Sequence, residues 1–248
     1  MGTCMKNWKT YRNVLFAACM ALMAILGLSG AYQRDEERPA WVILPDRSGP
    51  EDVPETKKAQ EPDIKPRVAL TFDDGPHSVY TERLLDGLKE RGVQATFFLI
   101  GKNIPGKEAL VERMAQEGHV IGNHTYDHVK LKGLSDEEAC LQLNKTSELV
   151  KAITGKDTEY VRPPFGAWDT QLECGITLFP VLWNIDPLDW TTKNVDQVVN
   201  KVVTKVEEDD IILLHDIFDS SVEAALRIVD LLQEQGYEFV TVDELILE

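Results

Sequence analysis

Short apolar runs recur along the chain after about residue 65, and each is rich in valine, isoleucine, leucine, phenylalanine or tyrosine. Runs of this length and composition, bounded by turn residues, are typical of β-strands. They cover residues 68–72, 95–99, 120–122, 160–161, 181–185, 211–214 and 239–242. The pattern therefore predicts about seven short strands.

Longer stretches between these runs carry apolar residues three and four positions apart, which is the spacing of one helical face. The predicted helices cover residues 81–91, 107–117, 135–155, 195–206 and 222–235. Ser135 and Glu138 have the spacing of a capping box, which marks a helix start. Alternation of strands and helices predicts a parallel sheet with helices outside it. Because a complete barrel has eight such units, we expect an α/β fold, a distorted and incomplete (β/α) barrel of about seven parallel strands.

The N-terminal segment has the pattern of an export signal. Lys6, Lys9 and Arg12 precede the uncharged apolar run 14–28, and the small residues 29–31 follow it. The run is shorter than the ~20 residues of a membrane span, although the residues after it could extend it. A cleaved signal peptide and an uncleaved signal anchor therefore both remain open.

The remaining chain divides by composition. Residues 32–65 are polar and repeatedly interrupted by proline, which predicts an extended tether, and residues 66–248 form the predicted folded domain. With residues 1–31 as the export segment, we expect a protein located outside the cytoplasm, at the membrane face or in the cell wall. Contact with the membrane would be made only through the N-terminal segment, and the domain is expected to be a monomer.

The net charge of the chain bears on which molecules it can bind. The chain of 248 residues has a formal net charge of −16, which argues against nucleic-acid binding because phosphates require a basic surface.

Cys140 and Cys174 are the two cysteines of the predicted domain. Export would permit a disulfide between them, but one pair at long spacing specifies no framework, so two buried thiols are the favoured interpretation.

Ionisable side chains follow five of the predicted strands at their carboxyl ends. In a parallel barrel these ends open on one face, where catalytic groups collect, so the placement predicts an enzyme. The residues are Asp73 and Asp74 after the first strand, His124 and His128 after the third, Arg162 after the fourth, Asp186 and Asp189 after the fifth, and His215 and Asp216 after the sixth.

A metal site is the most specific prediction from these residues. His124 and His128 are four positions apart, which would place both imidazoles on one side of a helical turn. A carboxylate from Asp73 or Asp74 at a neighbouring strand end would complete a set that leaves positions open for water and substrate, as in catalytic zinc sites. The other aspartate could then act as a base, and His215 could donate a proton to a leaving group.

Five segments resemble, in the same order, the signature motifs of the polysaccharide deacetylase family, also called the NodB-homology domain or carbohydrate esterase family four. The segments are residues 71–77 (TFDDGPH), 123–128 (NHTYDH), 162–166 (RPPFG), 186–190 (DPLDW) and 213–216 (LLHD). The resemblance extends over about residues 65–248, and five ordered motifs are far more specific than any one of them. One departure is Phe165, where many relatives carry tyrosine.

The resemblance implies a metal and a base. Asp74, His124 and His128 would bind one divalent ion, with zinc expected before cobalt or another divalent metal. Asp73 would be the catalytic base, and Arg162 would pair with it and keep it ionised and oriented. This family fold is a distorted barrel, in agreement with the strand and helix pattern.

The resemblance also implies an acid and a substrate pocket. His215 would be the general acid, with Asp189 hydrogen-bonded to it and raising its pKa. The backbone N–H of Phe165 would stabilise the oxyanion, and Trp190 and Leu213 would form walls of the pocket.

The expected activity is removal of N-acetyl groups from a polysaccharide, with peptidoglycan N-acetylglucosamine expected first and chitin-like oligomers next. One alternative is removal of O-acetyl groups from xylan, which the same site could perform. Another is a cell-wall-binding protein that has lost catalysis, although such a protein would not need to retain every ligand, base and acid.

Overall fold

The apolar run that follows residue 66 forms the central strand of the protein. The computed structural model describes residues 65–168 and 174–246, and in it this run is strand β1 (Arg67–Asp73), buried from Val68 onwards. Burial of consecutive residues is expected for a parallel strand that is covered on both faces. The predicted export segment 1–31 and nearly all of the predicted tether lie outside the described residues. Among the described helices, none is both long enough and apolar enough to cross a bilayer.

All strand pairs are parallel, which confirms the predicted α/β class. The strands after β1 are β2 (Thr96–Leu99), β3 (Val120–Asn123), β4 (Tyr160–Val161), β5 (Phe179–Pro180), β6 (Asp210–His215) and β7 (Glu238–Val240). Their order in the sheet is β5-β4-β3-β2-β1-β6, and β7 pairs with β1. The pairing of β7 involves residues 67–69 of β1, whereas β2 pairs with residues 71–73. The strands therefore form the incomplete barrel that was predicted.

The predicted helices are present, with small shifts at their ends. They are α1 (Tyr80–Glu90), α2 (Glu108–Gln116), α3 (Asp136–Thr154), α4 (Val195–Val203), α5 (Asp219–Glu234) and the additional α6 (Val242–Ile246). The capping box of α3 is confirmed, because Ser135 Oγ accepts from the Glu138 N–H at 3.3 Å and Glu138 Oε2 accepts from the Ser135 N–H at 3.0 Å. Gly155 ends this helix with φ 72°, a conformation that glycine adopts without steric cost.

The predicted strand at 181–185 is wrong. Strand β5 ends at Pro180, and the next residues change partners: the Val181 N–H donates to the Val161 carbonyl at 2.8 Å, whereas the Leu213 N–H donates to the Ile185 carbonyl at 2.9 Å. A segment that leaves β4 and joins β6 within five residues cannot form a ladder with either. It instead connects the two edges of the sheet and helps to close the barrel.

The C-terminal end of the predicted strand 239–242 also differs. Strand β7 ends at Val240, and α6 begins at Val242. Thr241 lies between them, and its N–H and hydroxyl both donate to Glu244 Oε2, at 2.9 and 3.0 Å. This side chain contact favours a helix start over continuation of the strand.

The main core lies between the sheet and the outer helices. Phe72 of β1 stacks on Phe97 of β2 with ring centroids 5.3 Å apart, and helical residues such as Leu84, Val111 and Ile228 are fully buried around them. The inner face of the sheet carries smaller or polar residues of β1, including Ala69 and Thr71, and it encloses the side chain of Arg162.

Cys140 and Cys174 form a disulfide, so the interpretation of two free buried thiols is wrong. Their Cα atoms are 4.9 Å apart, which is within the range that a disulfide spans. The bond joins α3 to the segment that leads into β5, 34 positions further along the chain. An even number of cysteines in a chain with an export pattern was the available signal.

Candidate metal centre and active-site cleft

The first site residues lie on the turn that follows β1. Asp73 is the last residue of β1, and Asp74 adopts φ 77°, which turns the chain away from the sheet. The Asn103 side-chain amide donates to the Asp74 carbonyl at 2.8 Å and holds this turn. The change of direction leaves the Asp74 side chain partly buried at the carboxyl end of the sheet, whereas the Asp73 side chain stays buried.

The two histidines are held by an irregular loop after β3. Asn123 Oδ1 accepts from the Thr125 N–H at 2.8 Å, and both Thr125 and His128 have positive φ values, 64° and 60°. Residues 124–128 form no helix, so the prediction of one helical turn for His124 and His128 is wrong in its geometry. The side-chain oxygen of Gln142 on α3 accepts from the backbone N–H groups of this loop at 3.1 and 2.8 Å, which replaces helical hydrogen bonds.

Asp74, His124 and His128 nevertheless converge on one point. Their candidate ligand atoms all lie within 4.8 Å of one another, and Asp74 Oδ1 is 3.5 Å from the Nε2 atom of each histidine. Ligands at about 2.0–2.2 Å around a tetrahedral ion stand ~3.4 Å apart, so the observed spacing fits such an ion. Asp74 Oδ1 is buried and, among the described residues, has no hydrogen-bond partner, which is expected of an atom that binds a cation.

The protonation of the histidines also fits metal binding. His124 Nδ1 lies 2.6 Å from the Arg162 carbonyl, which can only accept, so Nδ1 is the donor and Nε2 is the ring nitrogen that faces Asp74. Burial lowers the pKa of His128, against the opposing charge of Asp74, and this favours the neutral imidazole that a metal requires.

Arg162 fixes the Asp73 carboxylate from inside the barrel. Its Nη1 atom donates to Asp73 Oδ1 at 2.9 Å and to Thr71 Oγ1 at 2.7 Å, and its guanidinium lies 4.2 Å from the centroid of the Phe98 ring. The other donors reach the backbone carbonyls of residues 181 and 182, at 3.2 and 3.1 Å. Because this fully buried cation has partners on several sides, it holds Asp73 in one orientation. The second oxygen, Asp73 Oδ2, is 3.7 Å from His124 Nε2.

His215 and Asp189 form the second charged pair of the cleft. His215 is the register partner of Asp73 across β1 and β6, so the two side chains belong to adjacent strand ends. Asp189 Oδ1 accepts from His215 Nδ1 at 2.8 Å, and Oδ2 accepts from the His215 backbone N–H at 2.9 Å. Burial alone would lower the pKa of His215, but the hydrogen bond and charge of Asp189 outweigh it and raise the pKa to about 9. The imidazole is therefore protonated at neutral pH and can act as an acid.

These groups line a single cleft of about 390 Å³. Phe165 has φ 60°, is 70% exposed, and its ring centroid lies 5.1 Å from that of His128. Trp190 is also exposed, whereas Leu213 is almost fully buried and forms part of the base of the cleft. The arrangement can hold a divalent cation beside a carboxylate and a protonated imidazole, with apolar walls around a substrate.

Comparison with known proteins identifies the family. The family model described as polysaccharide deacetylase matches residues 60–177. The structure of peptidoglycan deacetylase PdaC from Bacillus subtilis superimposes with a TM-score of 0.70 at 38% identity, over 73% of this chain and 90% of that one. The chain belongs to the polysaccharide deacetylase family.

The relatives within the polysaccharide deacetylase family are named for different substrates. Peptidoglycan-N-acetylmuramic acid deacetylase PdaC of Bacillus subtilis is 38% identical over 178 residues, and peptidoglycan-N-acetylglucosamine deacetylase PgdA of Listeria monocytogenes is 40% identical over 193 residues. These matches cover 72% and 78% of this chain but only 38% and 41% of the two relatives. A family 4 acetyl xylan esterase from Clostridium thermocellum, in complex with cobalt, has a TM-score of 0.68 at 33% identity, over 73% of this chain and 90% of that one.

The structure brings the predicted site residues together around the cleft. Most of them line the cleft, and the others contact a residue that does. Those that line the cleft are Asp73, Asp74, His124, His128, Phe165, Trp190, Leu213 and His215, and Asp186 joins them. Arg162 and Asp189 lie behind Asp73 and His215 respectively. Which role each residue has in a reaction is taken up below as part of the proposed function.

Sequence reasoning missed two aromatic walls of the cleft. Trp183 lies in the segment that was predicted to be a strand, and Phe218 immediately precedes α5. Neither carries an ionisable group or falls in one of the five motifs, so spacing gave no signal for them.

The buried position of the Asp216 side chain could not be predicted from the sequence. It is fully buried behind the turn after β1, where its Oδ2 atom accepts from the Thr81 hydroxyl, and a Cβ atom on Gly75 would collide with its carboxylate. Burial raises the pKa of Asp216 to about 7. The residue thus packs against the backbone that carries Asp73 and Asp74, and glycine at position 75 allows this close approach.

Proposed function

We propose that this protein is a metal-dependent deacetylase that removes N-acetyl groups from peptidoglycan, with N-acetylglucosamine as its first expected substrate and chitin-like oligomers as the next. The observation that carries the proposal is the convergence of Asp74, His124 and His128 within 4.8 Å, in a cleft that Asp73 and His215 also line. The names of the peptidoglycan deacetylases among its relatives support the choice of glycan.

Asp74, His124 and His128 would hold the cation, and zinc suits one carboxylate and two imidazoles. Cobalt accepts the same ligands, as the cobalt complex of the related esterase illustrates. A bound divalent cation would supply Lewis acidity, which polarises the acetyl carbonyl and lowers the pKa of a water molecule.

The residues of the chain would then move two protons. Asp73, anchored by Arg162 through one oxygen, accepts a proton from the attacking water, and the Phe165 backbone N–H donates to the developing oxyanion. His215, held protonated by Asp189, gives its proton to the departing nitrogen. The amide and water thus become acetate and a free amine, and Trp190 and Leu213 enclose the acetyl group and the sugar ring.

Acetyl xylan esterase activity is the second candidate, because a related structure is named for it. The same carboxylate, cation ligands and imidazole would serve ester cleavage, so the cleft itself does not separate the two substrates. An inert wall-binding protein is less favoured, since the chain retains the full set of ligands, base and acid.

The place of action is proposed to be outside the cytoplasm. Residues 1–31 would direct export as a signal peptide or signal anchor, residues 32–65 would serve as a tether, and residues 66–248 would be the catalytic domain. A disulfide between Cys140 and Cys174 supports an oxidising location. Membrane contact would be limited to the N-terminal segment, and the protein would act as a monomer.

Acetate release from a panel of substrates tests this function. The zinc-loaded protein is incubated with N-acetylglucosamine oligomers, purified peptidoglycan and acetylated xylan, and we expect release from the first two to exceed release from xylan. Asp73→Asn should lower the rate by at least about 100-fold while zinc binding is retained. The exposed residue Asp157, changed to asparagine, serves as the matched control. Equal rates for Asp73→Asn and the wild type would contradict the assignment of the base, and activity on xylan alone would favour the esterase.

A further inference from the structure

Residues 125–127 connect His124 to His128 of the candidate metal centre, and we call them the ligand loop. They belong to no helix or strand, so each of their backbone polar groups needs a partner elsewhere. The three carbonyl groups accept from the N–H groups of Gly101 and Lys102 and from the Lys102 ammonium group, at 2.9, 3.0 and 3.0 Å. The ligand loop is therefore fixed on its carbonyl side to the chain that follows β2.

The N–H groups of the ligand loop have two side-chain acceptors. Asn123 accepts from the first of them, and Gln142 Oε1 accepts from the N–H groups of Tyr126 and Asp127, at 3.1 and 2.8 Å. The Gln142 amide nitrogen also donates to Asp127 Oδ2 at 3.0 Å. One side chain of α3 thus makes three hydrogen bonds to two consecutive residues of the loop, although it lies outside all five sequence motifs.

The two histidines differ in how their rings are held. His124 has its own anchors, since its Nδ1 bonds to the Arg162 carbonyl at 2.6 Å and its backbone N–H donates to the Leu99 carbonyl at 2.9 Å. His128 Nε2 faces Asp74 at 3.5 Å, and within the described part of the chain its Nδ1 has no hydrogen-bond partner. The backbone of the ligand loop must therefore supply the orientation that a hydrogen bond to the second ring nitrogen usually gives a metal ligand.

This backbone has a conformation that depends on outside contacts. Thr125 and His128 have φ values of 64° and 60°, in the left-handed region that branched and bulky side chains rarely adopt. Residues keep such values only where the surrounding structure holds them. The hydrogen bonds from Gln142 act between these two residues, so their loss would let the ligand loop relax and turn the His128 ring away from Asp74.

We propose that Gln142 is a positioning residue that sets the zinc affinity of the metal centre, by holding the ligand loop so that His128 faces Asp74 and His124 before the ion binds. The proposal rests on the proposed function, because it requires the metal site. It assigns a role in metal binding to a side chain that does not line the cleft and contacts neither the substrate nor the ion.

Position 142 requires both an acceptor and a donor, and this requirement can be tested by exchange. Gln142→Glu keeps the accepting oxygen but places a negative charge about 3 Å from Asp127 Oδ2, where the amide now donates, and like charges repel at that distance. Asp127→Asn alone leaves the contact possible, because the oxygen of an asparagine amide accepts the same hydrogen bond. In the double variant the asparagine amide would donate to the glutamate, which restores the contact with donor and acceptor exchanged.

Zinc affinity is measured on the full-length metal-free protein by competition with a chromophoric chelator. We expect the Kd for zinc to rise at least about tenfold in Gln142→Leu, which keeps the size of the side chain without its hydrogen bonds, and also in Gln142→Glu. Asp127→Asn should stay close to the wild-type Kd, and Gln142→Glu combined with Asp127→Asn should return to it. Gln116→Leu is the matched control, because the Gln116 amide donates to Glu112 of its own helix α2 at 3.2 Å.

An unchanged Kd in both Gln142→Leu and Gln142→Glu would overturn the proposal. A double variant that binds zinc as weakly as Gln142→Glu would overturn it too, since the exchanged contact would then have no effect on the metal centre. Circular dichroism checks that each variant is folded, and the exchange series decides the question if Gln142→Leu does not fold.

Acetate release is measured separately on the zinc-saturated variants, which distinguishes this proposal from the proposed function. Zinc affinities that change as expected, without acetate release from any glycan, would count against the proposed function and leave the role of Gln142 in place. Acetate release by a wild type whose zinc affinity does not depend on Gln142 would have the opposite meaning. A wild-type protein that binds no zinc would overturn both.

Discussion

At the scale of single residues, buried partners determine what the chemical groups in the cleft can do. Arg162 has donors to Asp73, Thr71 and two backbone carbonyls, and Asp189 makes two hydrogen bonds to His215. These contacts fix a carboxylate on one strand end and a protonated imidazole on its register partner. The cleft therefore presents a carboxylate and an imidazole on adjacent strand ends, which is the pair that the proposed mechanism requires.

The proton on His215 depends on Asp189, which makes the pH response predictable. With Asp189 present the pKa of His215 is about 9, so wild-type kcat/KM should fall as pH rises through that value and the donor loses its proton. Asp189→Asn removes the two largest influences that raise the pKa of His215, so burial then lowers this pKa against only the charges of Asp73 and Asp74. We expect about 100-fold slower acetate release at pH 7 and a pH optimum displaced to lower pH.

NMR titration of the His215 ring in the metal-free protein, together with the pH–rate profile, checks this prediction. The exposed carboxyl Asp196, changed to asparagine, is the control and should leave both curves in place. If Asp189→Asn retained an imidazole that titrates near 9, the hydrogen bond from Asp189 would not be the cause of the raised pKa.

Residue types and their order along the chain predicted which groups meet, but not how the backbone brings them there. Asp74, His124 and His128 converge as expected, yet the helical turn assigned to the histidines is an irregular loop stabilised by Asn123 and Gln142. Positive φ values at Thr125 and His128 make this loop possible, and no local preference of threonine or histidine predicts them. The contact that stabilises the loop comes from α3, which is distant in sequence.

At the scale of secondary-structure elements, the sequence predicted helices α1–α5 and every described strand except β5, but not the short helix α6. The strand predicted at residues 181–185 is absent. These residues are apolar because they connect the two edges of the sheet and help to close the barrel. The carbonyls of Val181 and Leu182 accept from Arg162, and the ends of the segment pair with different strands. Tertiary contacts of this kind override the preference for a strand, and periodicity alone does not contain them.

The disulfide is the element-scale feature with the clearest energetic consequence. It joins α3 to the approach to β5, and the Asn144 amide supports the same contact by donating to the Cys174 carbonyl at 3.3 Å. Cross-linking residues 34 positions apart restricts the unfolded chain and is worth about 4 kcal/mol. Cys140→Ser combined with Cys174→Ser should lower the free energy of unfolding by about this amount.

Urea denaturation with and without a reducing agent measures this contribution. The wild type should lose stability in the reducing agent, whereas the stability of the double variant should change little. The double variant retains Cys4 and Cys19, so it also controls for any effect of the reducing agent on those two cysteines. Because neither cysteine lines the cleft, acetate release below the unfolding transition should be nearly unchanged. An unaltered urea midpoint in the double variant would show that the bond contributes no stability.

At the scale of the whole molecule, the parallel sheet places residues from distant parts of the chain at one edge. Asp73, His124, Arg162 and His215 lie at or just beyond the carboxyl ends of β1, β3, β4 and β6. This consequence of a parallel sheet could be predicted from the strand pattern without knowing any contact. The cavity that adjoins the cleft at Trp190 and Phe218 could not be predicted, since its walls come from α1, the start of α5 and the segment before α4, and no pattern in the sequence joins them.

Metal binding should stabilise the whole domain, because the three ligands connect the carboxyl ends of β1 and β3, which are separated in the sheet by β2. A cation that binds only the folded state at 100 times its dissociation constant adds about 2.7 kcal/mol, or roughly 5–10 °C in Tm for a domain of this size. Thermal unfolding of the metal-free protein with added zinc should show this rise, and magnesium should give a smaller one because imidazole ligands favour zinc. His128→Ala should remove the rise, whereas His77→Ala, a histidine outside the ligand set, should keep it. A zinc-dependent rise that survives His128→Ala would place the stabilising ion elsewhere, and the mechanism proposed for the cleft would lose its metal.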